Sequence, residues 1–155
     1  ADTTGAPTAC EAAGVPCVGY NIDMTSVAPN TALTSASIDW GVYYTYAVQC
    51  MIDGTPIDVD WCKGFAEGAD KLTPLNEAVV AEGTAEKVEE VENAIIDGSL
   101  HVFDTSTFTV DGKEVTTYEK NGIEYISDGY FHESEYGSAP AFDLAIDGIT
   151  SIVEE

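Results

Sequence analysis

Residues 15–24, VPCVGYNIDM, decide how the chain is read. A short apolar run, Val15 to Tyr20, ends in the polar turn Asn21-Ile22-Asp23. An apolar run of this length bounded by turn residues is the pattern of a buried strand. A helix is expected before it. Thr4 suits its N-cap, Pro7 its first turn, Ala9, Ala12 and Ala13 its packed side, and Gly14 its end. A second strand-helix pair follows. The stretch 32–37 reads as a short strand, and Asp39 caps a helix over 40–52. In that helix Tyr43, Tyr44, Ala47, Val48 and Met51 recur at helical spacing. Alternating helices and strands with short connections predict a parallel α/β sheet. In such a sheet the turn after Tyr20 lies at the carboxyl ends of the strands, where open α/β folds bind ligands.

The pattern continues to about residue 105. An extended stretch over 57–65, turns at Gly64 and Gly68 and a connector over 72–75 lead to an amphipathic helix over 84–96. Val88, Val91 and Ile95 share one face of that helix, and Glu86, Glu89 and Glu90 the other. A strand is expected over 100–103. Beyond it the character changes to a hairpin, 108–110 and 114–118, around Asp111-Gly112. A strand over 123–126, an extended stretch at 139–142 and a strand or short helix over 146–153 complete the chain. The expected organisation is an incomplete α/β ligand-binding lobe over 1–105, with a β-hairpin and C-terminal tail of the same domain over 106–155.

Composition narrows the function. The 155 residues carry 28 Asp plus Glu against five Lys and no Arg, a formal net charge of −23. Without a basic footprint, nucleic acid polymers and anionic membrane surfaces are poor partners. A solubility role or a salty or acidic habitat is the plain account of the acidity. No apolar run approaches the roughly 18 residues of a membrane span. The opening ADTTGAPTAC lacks a positive charge and an apolar core, so any signal or lipid anchor is expected outside this chain. The even cysteine count, Cys10, Cys17, Cys50 and Cys62, permits three pairings. Local closure would favour Cys10–Cys17 and Cys50–Cys62, but free buried thiols are the preferred reading over disulfides. A zinc site is set aside on spacing and the absence of a nearby His in sequence.

Catalytic patterns are missing. His101 lies in the apolar LHVF and His132 in an aromatic tail, which suits structural roles. There is no GxSxG elbow, Walker loop or GxGxxG loop. Asp58-Val59-Asp60 and Asp111-Gly112-Lys113-Glu114 read as solvated turns rather than calcium loops. No enzyme, cofactor or metal is expected. What stands out is three polar turns at strand ends or helix starts: Asp2-Thr3-Thr4, Asn21-Ile22-Asp23 and Asp39-Trp40. They offer hydroxyls, amides, carboxylates and unpaired backbone N–H groups at one sheet edge. Trp40 or Trp61 could stack on a flat ligand. Taken singly, Thr4 and Asp39 are ordinary N-caps and Trp40 suits a core as well as a ligand.

The stretch ADTTGAPTACEAAGVPCVGYNIDMTSVAPNTALTSASIDWGVYYTYAVQCMIDG, with GFAEGADKLTPLN, IIDGSLHVFD and SAPAFDLAIDGI after it, resembles the C-terminal lobe of the Med/BMP (basic membrane protein) family. These are substrate-binding lipoproteins of ABC importers with the type I periplasmic-binding-protein fold. The resemblance implies a small polar ligand, often a purine nucleoside, clamped between two lobes outside the cytoplasm. It implies ABC importer membrane subunits as partners and a cell-envelope location. It also implies ligand-facing roles for Asp2, Thr3, Thr4, Asn21, Asp23, Asp39 and Trp40. Asn21 stands where the family usually has Asp, and Ala66 where it usually has Lys. The chain reads as a partial lobe whose exposed sheet edge could support self-association. The alternative is an acidic, non-catalytic surface or adhesion module that makes contact through Tyr125, Tyr130, Phe131 and Tyr136.

Overall fold

The computed structural model describes residues 3–137 and 142–150. Asp2, the stretch 139–141 and residues 151–153 of the expected last element lie outside the described residues. The fold is mixed α/β, with helices around a sheet that contains a parallel pair and antiparallel strands elsewhere. It divides into two compact units, Ala1–Ile57 with Lys63–Asp97, and Asp58–Cys62 with Gly98–Glu155.

In the first unit, helix α1 covers Gly5–Ala13 and ends at Gly14, whose φ of 65° is left-handed. The Val15 N–H then donates to the Cys10 carbonyl at 3.0 Å, which closes the helix in the manner of a glycine C-cap. Strand β1, Cys17–Tyr20, runs parallel to β2, Ala32–Ile38, as the α/β pattern requires. Strand β3, Asp70–Leu72, pairs with the other side of β2 but runs antiparallel. The expected purely parallel sheet is therefore mixed. The cause is local: after helix α2, Trp40–Asp53, the chain is turned by a 3-10 turn at Phe65–Glu67 and by Gly68 at φ 72°. It re-enters the sheet antiparallel to β2. Helix α3, Thr84–Ile96, has the expected bounds. Its Val88, Val91 and Ile95 are half-buried and line an apolar groove with Phe65 and Leu72.

The core of this unit is built from small residues. Met24, Ala28 and Ala32 are buried together, with Cys17 packed against them. Gly19 lets β1 and β2 approach closely. A Cβ there would lie 2.8 Å from Met24 Cγ and closer still to Ser35 Oγ. Ser35 is fully buried, and its hydroxyl has no hydrogen-bond partner among the described residues. Along α2 the half-buried side is Tyr43, Tyr46 and Ala47 with buried Cys50. Tyr44, Val48 and Met51 of the apolar set are instead exposed, as are Trp40 and Ile52.

The second unit is a set of hairpins. β4, Thr109–Val110, pairs with β5, Lys113–Glu114, and β6, Tyr118–Lys120, β7, Ile123–Ser127, and β8, Tyr130–Phe131, form an antiparallel sheet. Each tight turn has two left-handed residues: Asp111-Gly112 at φ 52° and 71°, Asn121-Gly122 at 56° and 80°, and Asp128-Gly129 at 53° and 86°. This conformation matches the twist of the flanking strands. The expected strand over 100–103 is absent. There Phe103 contributes only its carbonyl, which accepts the Phe131 N–H at 2.9 Å, and Asp104 bridges to Tyr130. The described part of the last expected element, 146–150, is a turn region without strand or helix. Ile126, Phe131 and Ile146 are buried. Phe131 meets Phe103 and Phe142 edge-on, with centroids 6.2 and 5.0 Å away, and Tyr125 meets Tyr136 edge-on at 6.0 Å. The aromatic tail thus packs largely on itself.

The β1–β2 contact gives a direct test. Gly19→Ala is expected to destabilise the chain by about 1–3 kcal/mol through overpacking. Ser35→Ala, which removes a buried hydroxyl without a partner, is expected to be near neutral or stabilising. In urea denaturation the double variant should recover part of the Gly19→Ala loss, whereas strictly additive losses would contradict the packing account.

Candidate functional site

The carboxyl ends of β1 and β2 lie side by side, because Tyr20 pairs with Ala36 in the parallel register. The antiparallel register Ile38–Asp70 brings the start of β3 to the same edge. Three chain segments therefore meet there: Asn21 after β1, Asp39-Trp40 after β2, and Asp70-Lys71 at the start of β3. Glu11 near the end of α1 accepts from Asn30 Nδ2 at 2.5 Å and Thr31 Oγ1 at 2.9 Å, just before β2 begins. The helix thus ends at the amino edge of the strands. Thr3 and Thr4 lie at the other end of the helix, ahead of its first turn.

Each expected residue has a distinct local state. Thr4 occupies the N-cap position, but its side chain makes no capping bond, contrary to the expectation. Its backbone is already helical, at φ −78° and ψ −8°, so the hydroxyl is not turned back onto the first amides. Asn21 has φ 72°, a left-handed conformation that Asn tolerates better than most residues. Its N–H donates to the Ala36 carbonyl, and its own carbonyl accepts from Ser37 Oγ at 2.9 Å. The Asn21 backbone is therefore pinned to β2 while its side-chain amide makes no hydrogen bond among the described residues. Asp23 turns back on its own chain. Its Oδ1 accepts the Thr25 N–H at 2.8 Å, which holds its carboxyl below the usual range.

Asp39 behaves as expected for a cap. Its Oδ1 accepts the Gly41 N–H at 2.9 Å, and its Oδ2 accepts from Lys71 Nζ at 2.8 Å. The Lys71 hydrogen bond, then the Gly41 amide, lower its pKa. Trp40 is 54% exposed and leans toward Tyr44, with centroids 6.3 Å apart. Trp61 is half-buried and belongs to the second unit, so it is not one of the side chains that the first unit brings together.

Two groups at this edge were not singled out from the sequence. Lys71 supplies its cation, whereas Lys63 pairs with Glu67 at 3.6 Å. Asp70 lies beneath Gly64, and partial desolvation raises its carboxyl pKa. Neither had a local signal, because the antiparallel return of β3 is a long-range pairing. In sum, the edge offers an unengaged carboxamide, two carboxylates in different states, an ammonium group and an exposed indole. This set can hydrogen-bond a small polar molecule and cover a flat ring.

His132 in the second unit was expected to be structural. It is buried, with Nε2 2.7 Å from Ser127 Oγ and Nδ1 2.8 Å from Glu135 Oε2. That order is the one found in hydrolase triads. The two cavities described in this unit are lined by neither Ser127 nor His132. A nucleophile also needs a place for the reacting atom. Ser127 ends β7 and His132 follows β8, so their contact joins the two strands of that hairpin, and Glu135 holds the other ring nitrogen.

Asp39 links the site to stability. A carboxyl with a lowered pKa stabilises the fold above its unfolded pKa of about 3.9, and that contribution is lost as pH falls through the folded value. Asp39→Ala should lower the melting temperature at neutral pH more than Asp39→Asn, which keeps a capping oxygen. The difference between wild type and Asp39→Ala should shrink below pH 4; a pH-independent difference would contradict the account.

Comparison with known proteins gives a partial placement. No protein-family model matches the chain. Over 113 residues, 73% of this chain, it is 30% identical to a purine-binding protein of Brucella abortus (strain 2308). The aligned part is 32% of that protein, so the chain spans about a third of the length of the curated relative it matches.

Proposed function

We propose that the chain is the C-terminal portion of a solute-binding protein of the Med/BMP type, with the type I periplasmic-binding-protein fold. In this reading it takes a purine nucleoside outside the cytoplasm and delivers it to the membrane subunits of an ABC importer. The observation that carries the proposal is the similarity to a purine-binding protein along most of the chain. The sheet edge where Asn21, Asp39, Trp40, Asp70 and Lys71 meet supports it. Thr3, Thr4 and Asp23 are further candidates from the first unit. Asn21 and Asp70 would hydrogen-bond ribose hydroxyls or base edges, with Asn21 able both to donate and to accept. Trp40 would cover the base.

Charge refines the ligand class. With a net charge of −23 and the Asp39 carboxylate beside Lys71, the site repels phosphates. A neutral nucleoside fits it better than a nucleotide. The chain alone should bind weakly, since a clamp between two lobes draws its affinity from both.

Titration calorimetry of the chain with adenosine, inosine and guanosine, and with AMP, glucose and glutamate as controls, tests this reading. Purine nucleosides should bind at least about tenfold more tightly than AMP, a difference of about 1.4 kcal/mol. Asn21→Ala and Trp40→Ala should each weaken nucleoside binding by about tenfold or more while leaving the fold intact. Equal binding of nucleoside and nucleotide, or unchanged affinity in both variants, would overturn the proposal.

A further inference from the structure

Outside the ligand edge, the cysteines carry an unassigned feature. All four are thiols in the structure, but of the buried thiols preferred from the sequence only Cys50 is buried, and Cys10, Cys17 and Cys62 are half-buried. Two of them sit in unlike places. Cys50 is buried on the inner side of α2, and Cys62 belongs to the second unit. Cys10 and Cys17 instead lie on either side of one tight reversal. Cys10 is in the last turn of α1, and its carbonyl accepts the Val15 N–H at 3.0 Å across Gly14. Cys17 opens β1, and its N–H donates to the Thr31 carbonyl at 2.9 Å. The hydroxyl of the same Thr31 donates to Glu11, the neighbour of Cys10, at 2.9 Å. The loop from α1 to β1 and the start of β2 are thereby locked on either side of the two cysteines. Both residues are half-buried.

We propose that Cys10 and Cys17 are an oxidation site that forms a disulfide joining the end of α1 to the start of β1. Of the three pairings the sequence allows, this one joins the two cysteines that a single bonded reversal brings to neighbouring places in the chain. The co-reactant is a low-molecular-weight disulfide. A thiolate of the pair attacks one sulfur of that disulfide and expels a small thiolate. The second protein thiolate then displaces the other small thiolate from the mixed disulfide. The protein loses two protons and two electrons, and one small disulfide becomes two thiols. Desolvation and the neighbouring Cys10 hold the Cys17 thiol above its usual pKa, so exchange should speed up as pH rises. The product tethers α1, whose other end carries Thr3 and Thr4.

The site can be read without disturbing the fold. Glu11 is between the two cysteines, so cleavage after it separates them into two peptides unless a disulfide holds them. The chain is equilibrated with oxidised and reduced glutathione, alkylated under denaturing conditions and cleaved after Glu and after aromatic residues, which puts Cys17, Cys50 and Cys62 on separate peptides. The expected result is a mass loss of about 2 Da before alkylation, a linked Cys10–Cys17 peptide pair, and alkylated Cys50 and Cys62. The oxidised chain should melt on the order of 5 °C above the reduced one, a gap that disappears in Cys10→Ser. Full alkylation of Cys10 and Cys17 in the oxidising buffer, or their linkage to Cys50 or Cys62, would overturn the proposal.

Discussion

The parallel pairing of β1 with β2 is the constraint on which the first unit depends. Two flanking bonds hold it: the Cys17 N–H to the Thr31 carbonyl at the amino end, and the Asn21 N–H to the Ala36 carbonyl at the carboxyl end. Between them Gly19 lies against Ser35 and Met24 with no room for a side chain. Parallel neighbours put both strand ends on one edge, and the turns that leave them must then be adjacent. Without this pairing, Asn21 and Asp39 would be two unrelated turn residues. With it, they face the same solvent, and the antiparallel β3 adds Asp70 and Lys71.

That edge is chemically uneven in a way that suits recognition. Asp39 is committed to a helix cap and an ion pair, and Asp23 to its own turn. Exposed ion pairs contribute little stability, but here Lys71 also neutralises one carboxylate at the opening. Asn21 has a fixed backbone and an amide that is unengaged among the described residues. A residue held at its main chain and open at its side chain is already oriented for a ligand, which lowers the ordering cost of binding.

Much of this was legible from local pattern. Gly14 and Asp39 mark helix ends where the structure has them, and the Val88-Val91-Ile95 stripe located α3. The Asp111-Gly112 hairpin was read, yet Asn121-Gly122 and Asp128-Gly129 carry the same turn chemistry and were passed over. The short apolar run at 100–103 misled, because periodicity over four residues cannot tell a strand from a loop that shares one carbonyl with β8. The apolar spacing on α2 marked a helix but not which side is covered: Tyr43, Tyr46, Ala47 and Cys50 turn inward while Tyr44 and Val48 do not. β3 and the Asp39–Lys71 pair were not legible at all. They arise from contacts more than thirty residues apart in sequence, set by the Phe65–Glu67 turn and Gly68.

The most direct test of the central claim is amide chemical-shift mapping of the chain as adenosine is added. A purine site at the carboxyl edge of β1 and β2 requires the largest, saturable shifts at Asn21, at Trp40 and Gly41, and at Asp70 and Lys71. The amides of the second-unit sheet, β6 to β8, should move least. Saturable shifts centred on that second sheet, or none at any adenosine concentration reached, would contradict it.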